Sequence, residues 1–474
     1  MQNSDVIWDH VEAHEKDLIG LADRVWATPE TLYAEFASCA EHTAMLRDKG
    51  FTVTEAVAGI PTAVMGEAGE GGPVIAILGE YDALPGLSQE AGIDYPKPVE
   101  AGGPGHGCGH NLLGSAALLA ATALKDWLAE TGTPGRVRYY GCPAEEGGAA
   151  KAFMVRDGAF DDVDAAICWH PSGMTRVDEA MSLANTRMDF AFTGRASHAA
   201  AAPHLGRSAL DAAELMNVGV QYLREHIPQE SRIHNAYLDA GGTAPNVVQA
   251  RAVTRYAIRS TTLSGMRALN ARVQDIARGA ALMTGTKVEI SVMSAVSNMQ
   301  GNAPLEEAMQ QAMDMLGGVP FDDVDRAYAT RIQATLSDED IAAEYRQNGL
   351  EPREGSPLCD YIVPPQSRGP AMMGSTDVAD VSWAVPTVQA RVATHAIGTP
   401  GHSWQITAQG KAGAAHKGMV HAAKIMGATA RMLFSDTDLL ARAKQDHRRR
   451  MEIEPYICPI PDEVSPPLVK RPAA

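Results

Sequence analysis

A short glycine-rich stretch, residues 105–111 (Gly-His-Gly-Cys-Gly-His-Asn), concentrates side chains that can bind a metal ion. Cys108 and His110 are two positions apart, so both can turn toward one point where the backbone is extended. The intervening glycines permit tight bending and leave room beside an ion. Because thiolate and neutral imidazole are the ligands that zinc-like metals prefer, the stretch predicts a metal site. A flexible glycine-rich loop with incidental histidines is the alternative.

Further candidate ligands come at the ends of two strand-like runs. Glu145 and Glu146 follow the run 136–142, and His170 lies at the end of the run 164–171. Adjacent carboxylates at a strand end point in different directions, so one can bind a metal while the other reaches a metal-bound water. An exposed acidic turn and a structural histidine are the alternatives. The recurrence of such groups after successive strands favours the functional interpretation.

The strands that would carry these groups are short and apolar. Residues 73–78 form a continuous apolar run, typical of a strand buried on both faces, and Asp82 follows it. Active sites of α/β proteins lie beyond the carboxyl ends of such strands. A turn residue ahead of Pro85 is the alternative for Asp82. Apolar residues at helical spacing predict helices within 6–50 and over 112–128.

The pattern changes at about residue 185. Strand-like and helical stretches then alternate in a β-α-β-β-α-β order, which predicts a small α+β domain over 185–298. We expect this domain to interrupt a larger one formed by 1–184 and 299–474. Residues 374–383 are expected to line a pocket as a loop, with a capped short helix as the alternative. A proline-rich tail from 455 onward is a poor candidate for a core element.

Composition narrows the class of protein. A chain of 474 residues suggests two or three domains with a large core. Its net charge of -18 argues against nucleic acid or an anionic membrane as the main partner. No signal peptide is evident at the N-terminus, and the apolar stretch 112–124 is too short to span a bilayer. The six cysteines are scattered, so we expect a reduced, cytoplasmic protein.

Several motifs together resemble one family. They are H-G-C-G-H at 106–110, P-A-E-E-G at 143–147, W-H-P at 169–171, G-R-A-S-H-A-A-A-A-P at 194–203 and G-H-S-W at 401–404. This set resembles the aminoacylase and carboxypeptidase G metallopeptidases, in particular the branch of hippurate and auxin-conjugate hydrolases. The resemblance implies an α/β fold: a large metallopeptidase domain with a mixed sheet flanked by helices, plus an inserted ferredoxin-like domain for lid and dimerisation.

The same resemblance implies an enzyme and its cofactors. We expect a metal-dependent amidohydrolase that cleaves N-acyl amino acids, N-aroyl ones such as aminobenzoyl-glutamate above all. Two divalent ions, zinc or manganese, are implied, with Cys108 bridging them. Glu146 and His402 would complete one ion site, and His110 and His170 the other. Glu145 would take a proton from the attacking water and pass it to the leaving amine.

Two departures from the family pattern concern the metal site. The aminoacylase branch has His-x-Asp where this chain has Glu80-Tyr81-Asp82, so one ligand histidine is absent and His110 takes its place. Asp82 remains as a partner that orients a ligand imidazole. Asn111 stands where hippurate hydrolases usually have Asp, which puts occupancy of the second metal position in question.

Substrate binding and assembly are also implied by the resemblance. His198, Asn246 and Arg259 match the family residues that hold the substrate carboxylate, and Arg259 suits bidentate carboxylate binding. A homodimer is expected, with His198 reaching the partner's site, or a hetero-oligomer with a related chain. The alternatives are a dipeptidase, an N-acetyl-amino-acid deacetylase, or a catalytically silent partner chain. The presence of Glu145 beside a complete ligand set argues against silence.

Overall fold

The computed structural model describes residues 5–367, 369 and 374–470. The helices are α1 (Ile7–Ala27), α2 (Phe36–Asp48), α3 (His110–Thr131), α4 (Ala150–Arg156), α5 (Ala209–Leu223), α6 (Leu263–Thr284), α7 (Ala303–Leu316), α8 (Asp323–Gln333), α9 (Asp338–Gln347), α10 (Val378–Ala384), α11 (Trp404–Gln409), α12 (Gly413–Ser435) and α13 (Thr437–Ile453). The strands are β1 (Thr52–Glu55), β2 (Val64–Glu70), β3 (Val74–Glu80), β4 (Gly135–Cys142), β5 (Ala165–Ser172), β6 (Arg176–Val177), β7 (Ala184–Thr193), β8 (Arg232–Asp239), β9 (Arg251–Ser260), β10 (Lys287–Val296) and β11 (Thr387–Ala393).

The larger sheet has seven strands in the order β1-β2-β4-β3-β5-β11-β6. Its four central strands, β4, β3, β5 and β11, are parallel, whereas β1, β2 and β6 run antiparallel to their neighbours. All seven residues of β3 are buried. Ile75 and Ile77 pack into the core on one face, and Val74, Ala76 and Leu78 into the core on the other. Burial on both faces explains why this strand is continuously apolar.

Helix α3 lies in the centre of the larger core, packed against α1 and α12. It begins directly after Gly109 and ends before Gly132, both in the left-handed conformation that glycine adopts readily. Within the part of the chain that the structure describes, it is the one helix long and apolar enough to cross a membrane. However, 83% of its most apolar 18-residue segment is buried inside the protein, as in the core helix of a folded domain.

The smaller sheet is antiparallel, in the order β10-β7-β9-β8, with α5 and α6 packed on one face. Its elements follow one another as β-α-β-β-α-β, so the expected fold class, a mixed sheet flanked by helices plus an inserted ferredoxin-like unit, is confirmed. β7 begins at Ala184 and β10 ends at Val296. The division into 1–184, 185–298 and 299–474 stays a prediction.

Some local expectations differ from the structure. Residues 374–377 line a cavity as a loop, but the rest of the stretch 374–383 belongs to α10, which begins at Val378. Asp377 precedes α10 but makes no side-chain cap to it; its carboxylate binds Lys151 instead. The tail also contributes to the core, since Ile460 is buried against the face that holds α4 and α10. The apolar residues of this proline-rich segment show no helical or strand-like periodicity, which is why the sequence does not predict this contact.

Candidate active site

The candidate ligands converge where the parallel strands of the larger sheet end. Glu80 ends β3, Glu145 and Glu146 follow β4, and His170 lies near the end of β5. His110 is the first residue of α3 and Cys108 lies two positions before it, so the start of this helix lies at the same edge. His402 lies on the turn that precedes α11. Because the carboxyl ends of neighbouring parallel strands meet at one edge, residues far apart in sequence become neighbours.

One cluster consists of Cys108, His110 and His170, whose potential ligand atoms all lie within 4.8 Å of one another. The Cys108 sulfur is 3.4 Å from Nε2 of His170. Each imidazole is held through its other nitrogen. Nδ1 of His170 is 2.8 Å from the carbonyl oxygen of Pro171, and Nδ1 of His110 is 2.9 Å from Asp82 Oδ1. Both Nε2 atoms are thereby directed toward the cysteine, an arrangement typical of metal-binding histidines.

A second cluster consists of Cys108, Glu146 and His402, again within 4.8 Å, so the two clusters share the cysteine. Nε2 of His402 is 3.4 Å from Glu146 Oε2. The backbone at His402 has φ of +56°, unusual for a residue with a side chain, and its N–H donates to the Gly107 carbonyl oxygen at 3.0 Å. Such strained backbone is concentrated at functional sites, and here it ties His402 to the glycine-rich stretch.

A third group adds Glu80, which was not predicted from the sequence as a site residue: Glu80, His110 and Glu145 place one potential ligand atom each within 4.8 Å of the others. Glu80 Oε2 is 3.3 Å from His110 Nε2, and its Oε1 accepts a hydrogen bond from the ammonium of Lys151 at 2.6 Å. The signal that points to Asp82, a carboxylate beyond a buried strand, applies equally to Glu80. Nothing in the sequence around Lys151 indicates that a helical lysine is buried beside the site.

The electrostatics of the site follow from burial and crowding. Burial and the negative charge of Glu146 raise the pKa of the Cys108 thiol to about 12. Burial, with the charges of Glu80 and Glu146, raises the pKa of Glu145 well above its ordinary value. Burial alone would lower the pKa of His110, but Cys108 and Asp82 raise it well above the usual range. The site thus holds excess negative charge that a cation would neutralise.

The donor set fits a pair of divalent metal ions. Nε2 of His110 and Oε1 of Glu146 are buried atoms for which the described residues supply no hydrogen-bond partner. Buried polar atoms are rarely left without a partner unless an ion, a water or a ligand supplies one. Sulfur, imidazole nitrogen and carboxylate oxygen form a set that suits zinc, and the carboxylates also suit manganese.

A cavity of about 490 Å³ opens onto the clusters, lined by Cys108, Glu145, Glu146, His170 and His402. From the smaller sheet, Arg259 lines the same cavity. His198 and Asn246 do not belong to its described lining. They lie together on the smaller domain, where the N–H of Ala199 donates to the Asn246 carbonyl oxygen at 2.9 Å, and both are exposed. Within one chain, Glu145 and Arg259 therefore line the same cavity as candidate ligands of both clusters. His198 and Asn246 lie outside its described lining.

The two ligand clusters share Cys108 and have the Glu145 carboxylate beside them, an arrangement typical of metal-dependent hydrolases. Residues 76–338 match Peptidase family M20/M25/M40, and the chain belongs to that family.

Individual relatives agree with this placement. The chain is 46% identical over 473 residues to one of the p-aminobenzoyl-glutamate hydrolase subunits of Escherichia coli (strain K12), covering 98% of each chain. The other p-aminobenzoyl-glutamate hydrolase subunit from the same organism is 32% identical over 242 residues, 49% of this chain and 54% of that protein. The solved structure of a dinuclear metal binding peptidase of the M20 family from Bacillus subtilis has the same fold, with a TM-score of 0.56 and 17% identity, covering 90% of this chain and 99% of the other.

Proposed function

We propose that the protein hydrolyses the amide bond of N-acyl amino acids, N-aroyl ones such as aminobenzoyl-glutamate in particular. The observation that carries the proposal is the pair of three-ligand clusters that share Cys108 and adjoin Glu145. The similarity to a p-aminobenzoyl-glutamate hydrolase subunit over 98% of both chains supports the choice of substrate.

In this proposal Cys108 would contribute to both positions of a pair of divalent ions, zinc or manganese. Glu146 and His402 would complete one position, and His110 and His170 the other. Bound there, the ions would supply an activated water and polarise the amide carbonyl. Asp82 orients His110 through Nδ1 and accepts a hydrogen bond from the backbone N–H of Glu146 at 3.0 Å, so it supports one ligand of each position.

Glu145 is the proposed general base and acid. Its carboxylate lies within 4.8 Å of the ligand atom of His110 and lines the cavity in which the amide must sit. It would take the proton of the attacking water and deliver it to the amine as the amide bond breaks. Burial and neighbouring carboxylates raise its pKa well above the ordinary value, which favours proton uptake.

Arg259 is proposed to bind the substrate carboxylate from the cavity wall, helped by Asn246 and His198. Because the last two are exposed away from the cavity of their own chain, they would reach the site of a partner chain. A two-fold dimer would then have two equivalent composite sites.

The smaller domain offers a surface for such a dimer. Helix α5 exposes an apolar stripe of Leu215, Val218 and Tyr222, and the edge strand β8 exposes Tyr237 and Leu238. An apolar stripe beside an open sheet edge is typical of a covered interface. We therefore propose homodimerisation through the inserted domain, about 185–298. Two of the relatives are named as different subunits of one hydrolase, so pairing with a related chain is the alternative. The cytoplasm stays the predicted compartment.

The test is hydrolysis by the chain expressed alone. Metal-loaded protein should release 4-aminobenzoate from 4-aminobenzoyl-glutamate, followed by chromatography, and a Glu145→Gln variant of equal metal content should not. A dipeptidase or deacetylase would instead prefer a dipeptide or an N-acetyl amino acid in the same assay. A silent partner chain would bind metal and hydrolyse none of these substrates until its related chain is added.

A further inference from the structure

One face of the smaller sheet, the face opposite α5 and α6, carries two arginines at the end that borders the candidate ligand clusters. Asn185 lies directly across from Arg259 in the pairing of β7 with β9, and Arg187 is two positions further along β7. Residues two apart on a strand share a face, so the three side chains project on the same side. All three line the 490 Å³ cavity that holds Glu145 and Glu146.

The guanidinium of Arg187 lies against the loop that carries Glu145 and Glu146. A Cβ atom on Gly147 would fall 2.7 Å from Nη1 of Arg187, so the guanidinium lies close to the backbone of that loop. Arg187 is half-buried, yet it forms no hydrogen bond or ion pair with any residue that the structure describes. A partly buried cation without a counter-ion is unfavourable, and an anionic ligand would remove that cost.

Two other arginines nearby, in contrast, each pair with a carboxylate. Arg255, on the same strand face, makes a bidentate pair with Asp189 at 2.7 and 2.9 Å. Arg391 lines the cavity as well, but its Nε donates to Asp178 at 2.9 Å. The described part of the chain thus supplies a carboxylate to each of these arginines and none to Arg187.

Asn185 adds an independent sign of a polar ligand. It is only 8% exposed, it lines the cavity, and its Oδ1 has no hydrogen-bond partner among the described residues. Burial, together with the nearby positive charge of Arg187, lowers the pKa of Arg259. The positive charges of the two arginines therefore repel one another, and a second negative charge on the ligand would offset this repulsion.

We propose that Arg187 is a specificity-determining residue that binds a second carboxylate, on the side chain of the substrate's amino-acid half. Arg259 binds the α-carboxylate in the same complex. The inference rests on the proposed function and specifies its substrate class: N-acyl derivatives of dicarboxylic amino acids, glutamate or aspartate. A guanidinium is suited to this task because its planar donors match a carboxylate.

The test compares 4-aminobenzoyl-glutamate with 4-aminobenzoyl-glutamine, which has nearly the same shape without the side-chain charge. Wild-type protein should prefer the glutamate compound in kcat/KM by about 10- to 100-fold, the range for losing a charge-assisted hydrogen bond. Arg187→Met should abolish the preference by reducing kcat/KM for the glutamate compound alone. Arg187→Lys, which keeps the charge but not the planar donors, should retain part of it.

Arg255→Met is the matched control, because Arg255 lies on the same strand face but already pairs with Asp189. It should leave the preference unchanged. Equal kcat/KM for both compounds in wild-type protein would overturn the inference, as would an equal loss for both in Arg187→Met.

A binding measurement separates this inference from the proposed function. Calorimetric titration of both compounds into metal-loaded Glu145→Gln protein, with and without Arg187→Met, reports carboxylate recognition without turnover. A preference for the glutamate compound that depends on Arg187 supports the inference, even if wild-type protein hydrolyses neither compound. Absence of hydrolysis would contradict only the proposed function. Binding without preference overturns the inference whatever the hydrolysis assay shows.

Discussion

Asp82 fixes the imidazole of His110: its Oδ1 is 2.9 Å from Nδ1 of that histidine, and both side chains are buried. Burial would raise the pKa of Asp82, but the charge and hydrogen bond of His110 lower it below the ordinary value, so the carboxylate stays ionised. Its other oxygen accepts the backbone N–H of Glu146. One carboxylate thereby contacts a member of each of the two clusters, His110 and Glu146.

Replacing Asp82 by Asn should therefore weaken metal binding. An amide can accept one of the two hydrogen bonds, but its NH₂ group would then face the N–H of Glu146. We expect the metal affinity, measured by competition with a chromogenic chelator, to fall about 10- to 100-fold. Asp275→Asn, at an exposed pair with Arg278, should leave the affinity unchanged. Equal affinities for both variants would show that Asp82 does not orient the ligands.

Removal of metal should abolish activity. Treatment with a strong chelator followed by desalting should leave folded protein without hydrolytic activity, and zinc or manganese should restore it, because the water and the carbonyl both need a cation. Circular dichroism before and after treatment checks that the fold persists. Full activity in protein shown by mass spectrometry to contain no metal would exclude the proposed role of both clusters.

The adjacent carboxylates should respond differently to the same substitution. Glu145→Gln should lower kcat by at least ~100-fold, as expected for loss of a general acid-base group, with metal content nearly intact. Glu146→Gln should instead lower the metal content, since its carboxylate belongs to the cluster with Cys108 and His402. The measurements are kcat at saturating substrate and bound metal per chain. The opposite pattern would mean that the two roles are exchanged.

Lys151 should be a strong determinant of stability. It is fully buried, and its ammonium donates to Glu80 at 2.6 Å and to Asp377 at 2.7 Å. Lys151→Met would leave two buried carboxylates without their cation, so we expect the free energy of unfolding in urea to fall by about 3–5 kcal/mol. The control is Lys417→Met, which removes a lysine that also pairs with two aspartates but is partly exposed.

That control should lower the free energy of unfolding by no more than about 1 kcal/mol, because water screens a partly exposed pair. Both variants are compared after metal removal, so that a change in metal binding does not enter the result. If Lys151→Met is no more destabilising than Lys417→Met, the buried cluster does not stabilise the fold.

The placement of the candidate ligands at strand ends is largely predictable from the sequence because each follows a local pattern. A buried apolar strand and the polar residue after it are neighbours in the chain, so His170 or Glu146 can be assigned to a strand end from the sequence alone. The parallel order of the strands then brings these ends to one edge. The chemistry of Cys108 and His110 is equally local, since both belong to one glycine-rich stretch.

The charged residues around the site could not be predicted in the same way. Lys151 and Asp377 are 226 positions apart, and their contact depends on how α4 packs against α10. The surroundings of Arg187 are likewise a property of tertiary packing, since a strand arginine gives no sign of whether a carboxylate lies opposite. The specificity proposed for Arg187 and the stability predicted for Lys151 depend on such contacts, which the sequence does not reveal.

The last prediction concerns how the site is completed across two chains. His198 is exposed on the smaller domain, it lies outside the described lining of its own chain's cavity, and small residues follow it at 199–202. If His198 serves the partner's site, His198→Ala and Glu145→Gln should each be inactive alone but should complement one another when mixed. In a mixed dimer, one site combines Glu145 of one chain with His198 of the other.

Both variants are dissociated, mixed in equal amounts and reassociated, and native mass spectrometry of differently tagged chains verifies that mixed dimers form. Random pairing makes half of the dimers mixed, and each mixed dimer has one intact site of two, so activity should recover to about a quarter of the wild-type value. Each variant treated alone is the control and should stay inactive. Mixed dimers without activity would mean that His198 acts within its own chain or has no part in catalysis.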